Sequence, residues 1–188
     1  MKNIWILLVM LLPATAWAGN LGLDGEQSDI SFVSVKKGVV AEVHHFTALS
    51  GSIKGNHASV VIDLSSVESG IKIRNERMKS MLFEVGRFAT ATITADISRV
   101  DMKRLKVGEM QSVVLPLTVD LHGFKKDLKA EVSVVMLQNG LLVTSRSPVI
   151  ARASEFGLES GIEALRVVAK LPAIALAVPV SFQLYFKH

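Results

Sequence analysis

Along most of this chain apolar and polar side chains alternate one for one. That period puts every second residue of a strand on a buried face. Residues 89–98 are the cleanest case: Ala89, Ala91, Ile93, Ala95 and Ile97 alternate with Thr90, Thr92, Thr94, Asp96 and Ser98. Near the C-terminus, Val178, Val180, Phe182, Leu184 and Phe186 share one face, and Pro179, Ser181, Gln183, Tyr185 and Lys187 the other. Val113, Leu115, Leu117, Val119 and Leu121 form a third set, and Leu128, Ala130, Val132, Val134 and Met136 a fourth. Further strands are expected over 30–36, 39–53, 58–64 and 141–150, for a total of about eight.

Reversal signals fall between these runs, at Lys37-Gly38, Gly55-Asn56, Gly108, His122-Gly123 and Asn139-Gly140. Asn139-Gly140 predicts a tight two-residue hairpin, because both residue types tolerate the positive φ of a type I′ turn. Two segments depart from period two. Residues 74–83 carry helix formers, with Met78, Met81 and Leu82 at helical spacing. Residues 159–171 put Ile162, Leu165, Val168 and Ala169 on one face, and Pro172 stops that helix. No repeat, low-complexity stretch or linker interrupts the chain, which reads as one unit.

Long antiparallel strands joined in sequence hide their edges in a sandwich or in a closed barrel. About eight of them suit a barrel wide enough for one small ligand. Alternation alone leaves both architectures open. It also leaves the interior open: the alanines at 89, 91, 95 and 130 make room on an apolar face, whereas Phe32 and Phe182 could fill it.

Charge and composition narrow the function. The 188 residues include 21 basic and 17 acidic side chains, and removing Lys2 leaves a net charge of about +3. Basic pairs occur at Lys36-Lys37, Lys103-Arg104 and Lys125-Lys126, near expected turns. With only 6% aromatic residues there is little to stack bases on, so nucleic acid is not an expected partner. Residues 1–18 read as a cleavable signal peptide: Lys2, the apolar run 4–12, Pro13, then Ala16-Trp17-Ala18 before the cut. The run is too short to span a bilayer as a helix. Without cysteine, no lipoprotein anchor forms at that site and no disulfide staples the mature domain, residues 19–188.

Candidate chemistry is sparse. His44 and His45 are adjacent and would point to opposite faces of a strand. His57 and His122 fall near turns, His188 ends the chain, and no spacing suits a metal. No Gly-x-Ser-x-Gly elbow or facing carboxylate pair is present. Neither an enzyme nor a cofactor is expected. Arg74, Glu76 and Arg77 read as an ion-pair set or as contacts for a polar head group at the mouth of a barrel. Met78, Met81, Leu82 and Phe83 would cap the lumen or pack the helix on the wall.

Taken in order, these segments become familiar. Ser28-Asp29-Ile30-Ser31-Phe32 opens the series, followed by Phe46-Thr47-Ala48-Leu49-Ser50-Gly51-Ser52-Ile53. Then come a strand and turn at 60–70, the short helix at 74–83, and Leu117-Thr118-Val119-Asp120-Leu121-His122-Gly123-Phe124-Lys125-Lys126. Ile150-Ala151-Arg152-Ala153-Ser154-Glu155-Phe156-Gly157 follows. The chain resembles the YceI-like family of polyisoprenoid-binding periplasmic proteins over nearly all of its mature length. It departs from the family at Asn75 and Arg77, where an Arg-Asp-x-His pattern is usual, at Ala89 in place of proline, and in a helical insertion near 159–172.

The resemblance implies an all-β fold: an eight-stranded antiparallel lipocalin-like β-barrel with one or two short helices. It implies a long apolar lipid in the lumen, a polyisoprenoid or isoprenoid quinone, carried or stored in the periplasm. The expected lumen contacts, taken from alternation, are Phe32, Val60, Ile62, Ile93, Ile97, Leu115, Leu117, Val132, Val134, Val180, Phe182 and Leu184. A one-residue slip in any strand would turn its set outward. Membrane contact is expected to be transient, and a homodimer over an open mouth is allowed. The contrasting reading is an exported stress-response or protein-interaction module with a filled lumen and no lipid ligand.

Overall fold

The computed structural model describes residues 20–188; the expected signal peptide lies outside the described residues. Twelve strand segments form one sheet. They are β1 (Asn20–Leu23), β2 (Asp29–Lys36), β3 (Val40–Phe46), β4 (Leu49–Lys54), β5 (His57–Asp63), β6 (Val67–Glu68), β7 (Thr90–Asp96), β8 (Met110–Leu121), β9 (Phe124–Leu137), β10 (Gly140–Ser145), β11 (Val149–Arg152) and β12 (Ala177–Lys187). Four pairs of consecutive segments, β1/β2, β3/β4, β5/β6 and β10/β11, are single staves broken in the middle. With them counted once, eight staves run up and down in chain order, each antiparallel to the next. The last stave meets the first, with Phe182 opposite Ile30 and Phe186 opposite Leu23. The sheet therefore closes into a barrel, and the sandwich alternative falls away.

The expected runs are these staves. The 39–53 run is interrupted at Thr47 and Ala48, where Thr47 N–H donates to the Ser66 carbonyl rather than to a neighbouring ladder. β1 was not anticipated, because Asn-Leu-Gly-Leu is too short to show a period. One turn reading needs correction. The two-residue loop at the β9–β10 hairpin is Gln138-Asn139, and neither residue has positive φ. Gly140 is instead the first strand residue, and a Cβ there would overlap the Phe186 carbonyl of β12. Two consecutive positive-φ residues occur instead at His122-Gly123, at 54° and 81°, between Leu121 and Phe124, and at Lys37-Gly38, at 55° and 74°, in the β2–β3 hairpin.

Two helices sit at one end of the barrel. α1 (Lys72–Arg77) runs directly into a π turn at Met78–Leu82. The Phe83 N–H reaches back five residues to the Met78 carbonyl at 2.9 Å. This wide turn lets Met78, Leu82 and Phe83 all be buried on the barrel side. α2 (Glu159–Val168) ends sooner than expected: Lys170 takes a left-handed backbone, and Arg166 closes the end by donating to the Leu171 carbonyl. The helices touch at Gly161, where a Cβ would lie 2.6 Å from the Met81 carbonyl oxygen and 2.8 Å from the Leu82 Cα. The other end of the barrel is closed by the loop 97–109, which turns Ile97 and Val100 inward and buries them. Gln111 ties this loop down, accepting from the Asp101 N–H and donating to the Arg99 carbonyl. No described helix is long and apolar enough to cross a membrane.

Candidate ligand-binding lumen

The inward faces of the staves enclose two adjoining cavities, one of about 90 Å³ toward the plugged end and one of about 160 Å³ toward the helices. Val60, Ile97, Leu115, Val132, Val134 and Leu184 surround the first. Phe32 and Ile62 surround the second. Ile93, Leu117, Val180 and Phe182 form the wall common to both. Alternation thus put all twelve expected residues on the inner face. Every side chain around the first cavity is a hydrocarbon, an aromatic ring or the Met102 thioether. An apolar cavity of about 150 Å³ is known to stay dry and to accept a hydrocarbon guest.

The lumen is hollow at its waist. Ile93, Val180 and Phe182 point inward yet are only half-buried, while Leu115, Val132 and Leu184 nearer the plugged end are buried. The alanines make the space: Ala91 and Ala95 on β7 face Ile62 and Ala58 on β5, so small side chains meet small or slender ones.

Period two could not find the wall residues that helices and loops supply. Val100 and Met102 come from the plug, Leu82 and Phe83 from the π turn and its end, Phe156 from the approach to α2 and Ile162 from α2 itself. Ile162 and Leu82 were visible as helix-face residues, but nothing in their spacing says which way that face turns. Phe32, Phe46 and Phe83 pack with centroids 5.4–6.5 Å apart, at the helical end of the lumen.

Beyond Phe32 a third cavity, about 310 Å³, opens between α1, α2 and β2–β3. It shares Phe32, Leu82, Ile162 and Val178 with the lumen and is its mouth. Polar groups gather here. Glu42 accepts from Arg74 at 2.6 Å and pairs with Lys36 at 2.8 Å. These two cations hold its carboxyl below the usual carboxylate range. Arg74 also donates to the Ser69 carbonyl and hydroxyl, and Ser69 in turn is fixed by the buried Asn75, whose side-chain oxygen accepts the Ser69 N–H at 2.9 Å. Arg74 is therefore committed to an ion-pair set. Arg77 lines the mouth half-buried, with no ion pair or side-chain hydrogen bond among the described residues. His44 is 1% exposed; its Nε2 lies 2.7 Å from the Ser34 hydroxyl, and its Nδ1 has no hydrogen-bond partner. Burial first, then the Arg74 charge, push the imidazole down to about 4, so it is neutral near pH 7.

The His-Gly hairpin has a structural task. The His122 ring packs on Phe88 with centroids 4.3 Å apart, and its Nε2 lies 3.4 Å from a Glu84 oxygen, too poorly placed for a hydrogen bond. It anchors the loop after the π turn to the β8–β9 hairpin. No group of three or more metal-ligand side chains comes together among the described residues.

Residues 22–186 match the sequence model of the YceI-like domain. Among solved structures, the chain is similar to a polyisoprenoid-binding domain from Saccharophagus degradans implicated in plant cell wall breakdown. The identity is 39% over 89% of this chain and 97% of that one, with a TM-score of 0.86. BcnA of Burkholderia cenocepacia shares the fold at 18% identity and a TM-score of 0.68, over 87% of this chain and 98% of that one. No curated protein matches the chain. With the family's sequence model spanning nearly every described residue, and with the eight-stave barrel in place, the chain belongs to the YceI-like family.

Proposed function

We propose that the lumen binds one long apolar lipid, a polyisoprenoid or isoprenoid quinone, and that the protein carries or stores it in the periplasm. The observation that carries this reading is the hollow waist. Inward-facing Ile93, Val180 and Phe182 are left half-buried around adjoining cavities whose walls are almost wholly apolar. Empty apolar space forfeits dispersion contacts, and a hydrocarbon guest restores them. Each methylene moved from water into such a site contributes about 0.8 kcal/mol, so a chain of several isoprene units gains enough to be held firmly. A chain running from the mouth past Phe32 and through both cavities would meet hydrocarbon along nearly its whole length. The similarity to a polyisoprenoid-binding domain supports the same class of guest.

Among the described residues the lumen walls carry no carboxylate, histidine or nucleophile, and Arg152 is the one charged side chain on them, so binding rather than turnover suits the site. An apolar run followed by a signal-peptidase pattern at the start of the chain supports export.

The test is mass spectrometry of organic extracts from protein purified without detergent from the compartment where it accumulates. A polyprenyl or quinone species at one per protein is expected. A clean extract, with no uptake of added isoprenoid, would remove the carrier reading and favour a protein-interaction module.

A further inference from the structure

The mouth carries a surface that neither the lumen nor the barrel wall uses. Five exposed aliphatic side chains come from the three segments around it: Val39 beside β3, Ile71 and Ile73 at the start of α1, and Val167 and Val168 at the end of α2. Val39 is 86% exposed and Ile73 58%. The segments stand close together. Lys37 N–H donates to the Ala173 carbonyl, Lys36 pairs with Ile174, and Ile71, Ile73 and Val168 line the same opening.

Four cations stand among these side chains: Lys37, Lys72, Arg77 and Lys170. Among the described residues none of the four makes an ion pair or a side-chain hydrogen bond. The carboxylates of the same segments are already engaged. Glu42 is held by Lys36 and Arg74, Glu76 by Lys79, Glu163 by Arg166, and Glu68 accepts the Gly70 N–H. Glu159 lies at the opposite end of α2, roughly 14 Å from Val168 along the axis. The rim is thus apolar points set in an excess of positive charge, four free cations against one carboxylate, Glu68, that forms no ion pair among the described residues. The plugged end differs: Asp101 and Glu109 lie among its two lysines and two arginines, and the loop 97–109 blocks the lumen there.

We propose that this rim docks on an anionic phospholipid bilayer, with the mouth against the membrane, and that the guest passes there between bilayer and lumen. The proposal rests on the reading that the lumen takes a lipid. Scattered aliphatic side chains can enter the interfacial layer while neighbouring basic residues meet anionic head groups, each contributing several-fold to partitioning. The combination suits a fluid, negatively charged surface that has no fixed shape to complement. Docking in this pose spares the guest any passage through water.

The test is co-sedimentation of the protein, as isolated from the cells that make it, with phosphatidylcholine vesicles with and without phosphatidylglycerol. Binding is expected only to the anionic vesicles, and to weaken with salt. The triple reversal K37E/K72E/K170E should weaken it about a hundredfold or more, given about fivefold per basic residue. The pair I73S/V167S, which removes apolar points without changing charge, should weaken it as well. K103E/K106E at the plugged end should leave it unchanged. All altered positions are solvent-facing, and circular dichroism checks their folding.

Equal binding to neutral vesicles, no binding to either, or an equal loss in the plugged-end variant would overturn the docking. So would capture of a protein through this face without vesicle binding. Lipid extracted from each variant is measured in parallel. A loaded protein that ignores vesicles sinks the docking alone, whereas an unloaded protein that binds them through the rim sinks the lumen reading alone.

Discussion

His44 shows what one buried ring does to the pH dependence of the whole protein. Its folded value near 4 lies well below the 6.5 of an unfolded histidine, because burial and then the Arg74 charge disfavour the imidazolium. Between those two values the unfolded chain takes up a proton that the native protein refuses. Stability is therefore full above about pH 6.5, falls as pH drops toward 4, and loses no more to this residue below that. The loss should be on the order of 3 kcal/mol. Urea midpoints over this range should show the fall in the wild type and a flatter line in His44→Gln. Glu42, held low by Lys36 and Arg74, adds its own loss only at more acidic pH, as it protonates through its lowered value. Parallel slopes for the two proteins above pH 4.5 would show that His44 is not the source. A second residue reports on the lumen. Ile93→Trp would set an indole across the wall common to both cavities. Retained lipid should fall sharply, and overpacking should cost no more than about 1–3 kcal/mol. Unchanged lipid content would mean that the guest lies elsewhere.

At the level of elements, the helical end is held by a contact with no spare room. Gly161 lets α2 approach the π turn so closely that even a methyl group would strike the Met81 carbonyl and the Leu82 backbone. In an isolated helix, alanine would be better than glycine by about 1 kcal/mol. Here Gly161→Ala should instead lower stability by about 1–3 kcal/mol, because backbone cannot move aside as a side chain can. It should also speed exchange of a fluorescent isoprenoid, since Leu82 and Ile162 at this contact line both the mouth and the lumen. Calorimetry and a dilution assay read the two effects.

The same end explains where sequence reading stops. Strands were legible because the pleat has a fixed period of two: once Ile93 faces in, so must Ala91 and Ala95. All twelve expected lumen residues lie on staves for that reason. Turn chemistry was less secure. Asn139-Gly140 has a hairpin composition, but its glycine answers to the crowding of β12, a contact made with a strand about 45 residues further on. The inward turn of Phe83 depends on a π turn whose residues, Met-Lys-Ser-Met-Leu, suit an ordinary α-helix equally well. The mouth cluster of Ser34, Glu42, His44 and Arg74 joins two strands to a helix by tertiary packing, which no local pattern records.

For the molecule as a whole, closure of the barrel depends on its seam. Seven of the eight stave contacts join neighbours in sequence; the eighth pairs β12 with β1 and β2. Ser31 and Ser181, opposite one another there, are 150 residues apart. Closing so long a loop is entropically slow, so the seam is expected to form late, after the meander. Ile30, 2% exposed and opposite Phe182 of β12, sits at that seam. Ile30→Ala should cost about 2–5 kcal/mol, expressed mainly as faster unfolding. Leu115→Ala, within the β8–β9 hairpin, should slow folding more for the same loss. Chevron measurements separate the two arms, and a seam variant that chiefly slowed folding would reverse the order.

Among the described residues, the plug of Ile97, Val100 and Met102 covers the far end of the lumen and leaves the mouth at the helical end as its opening, the form of a blind tube. A guest inside such a tube can leave only by backing out along its own path, unit by unit. Its residence time should therefore climb steeply with chain length until the tube is full and then level off, since further units would trail outside the door. A barrel open at both ends would show no such plateau. The closed floor turns a container into a gauge, and dissociation rates across a ladder of chain lengths would read off its depth.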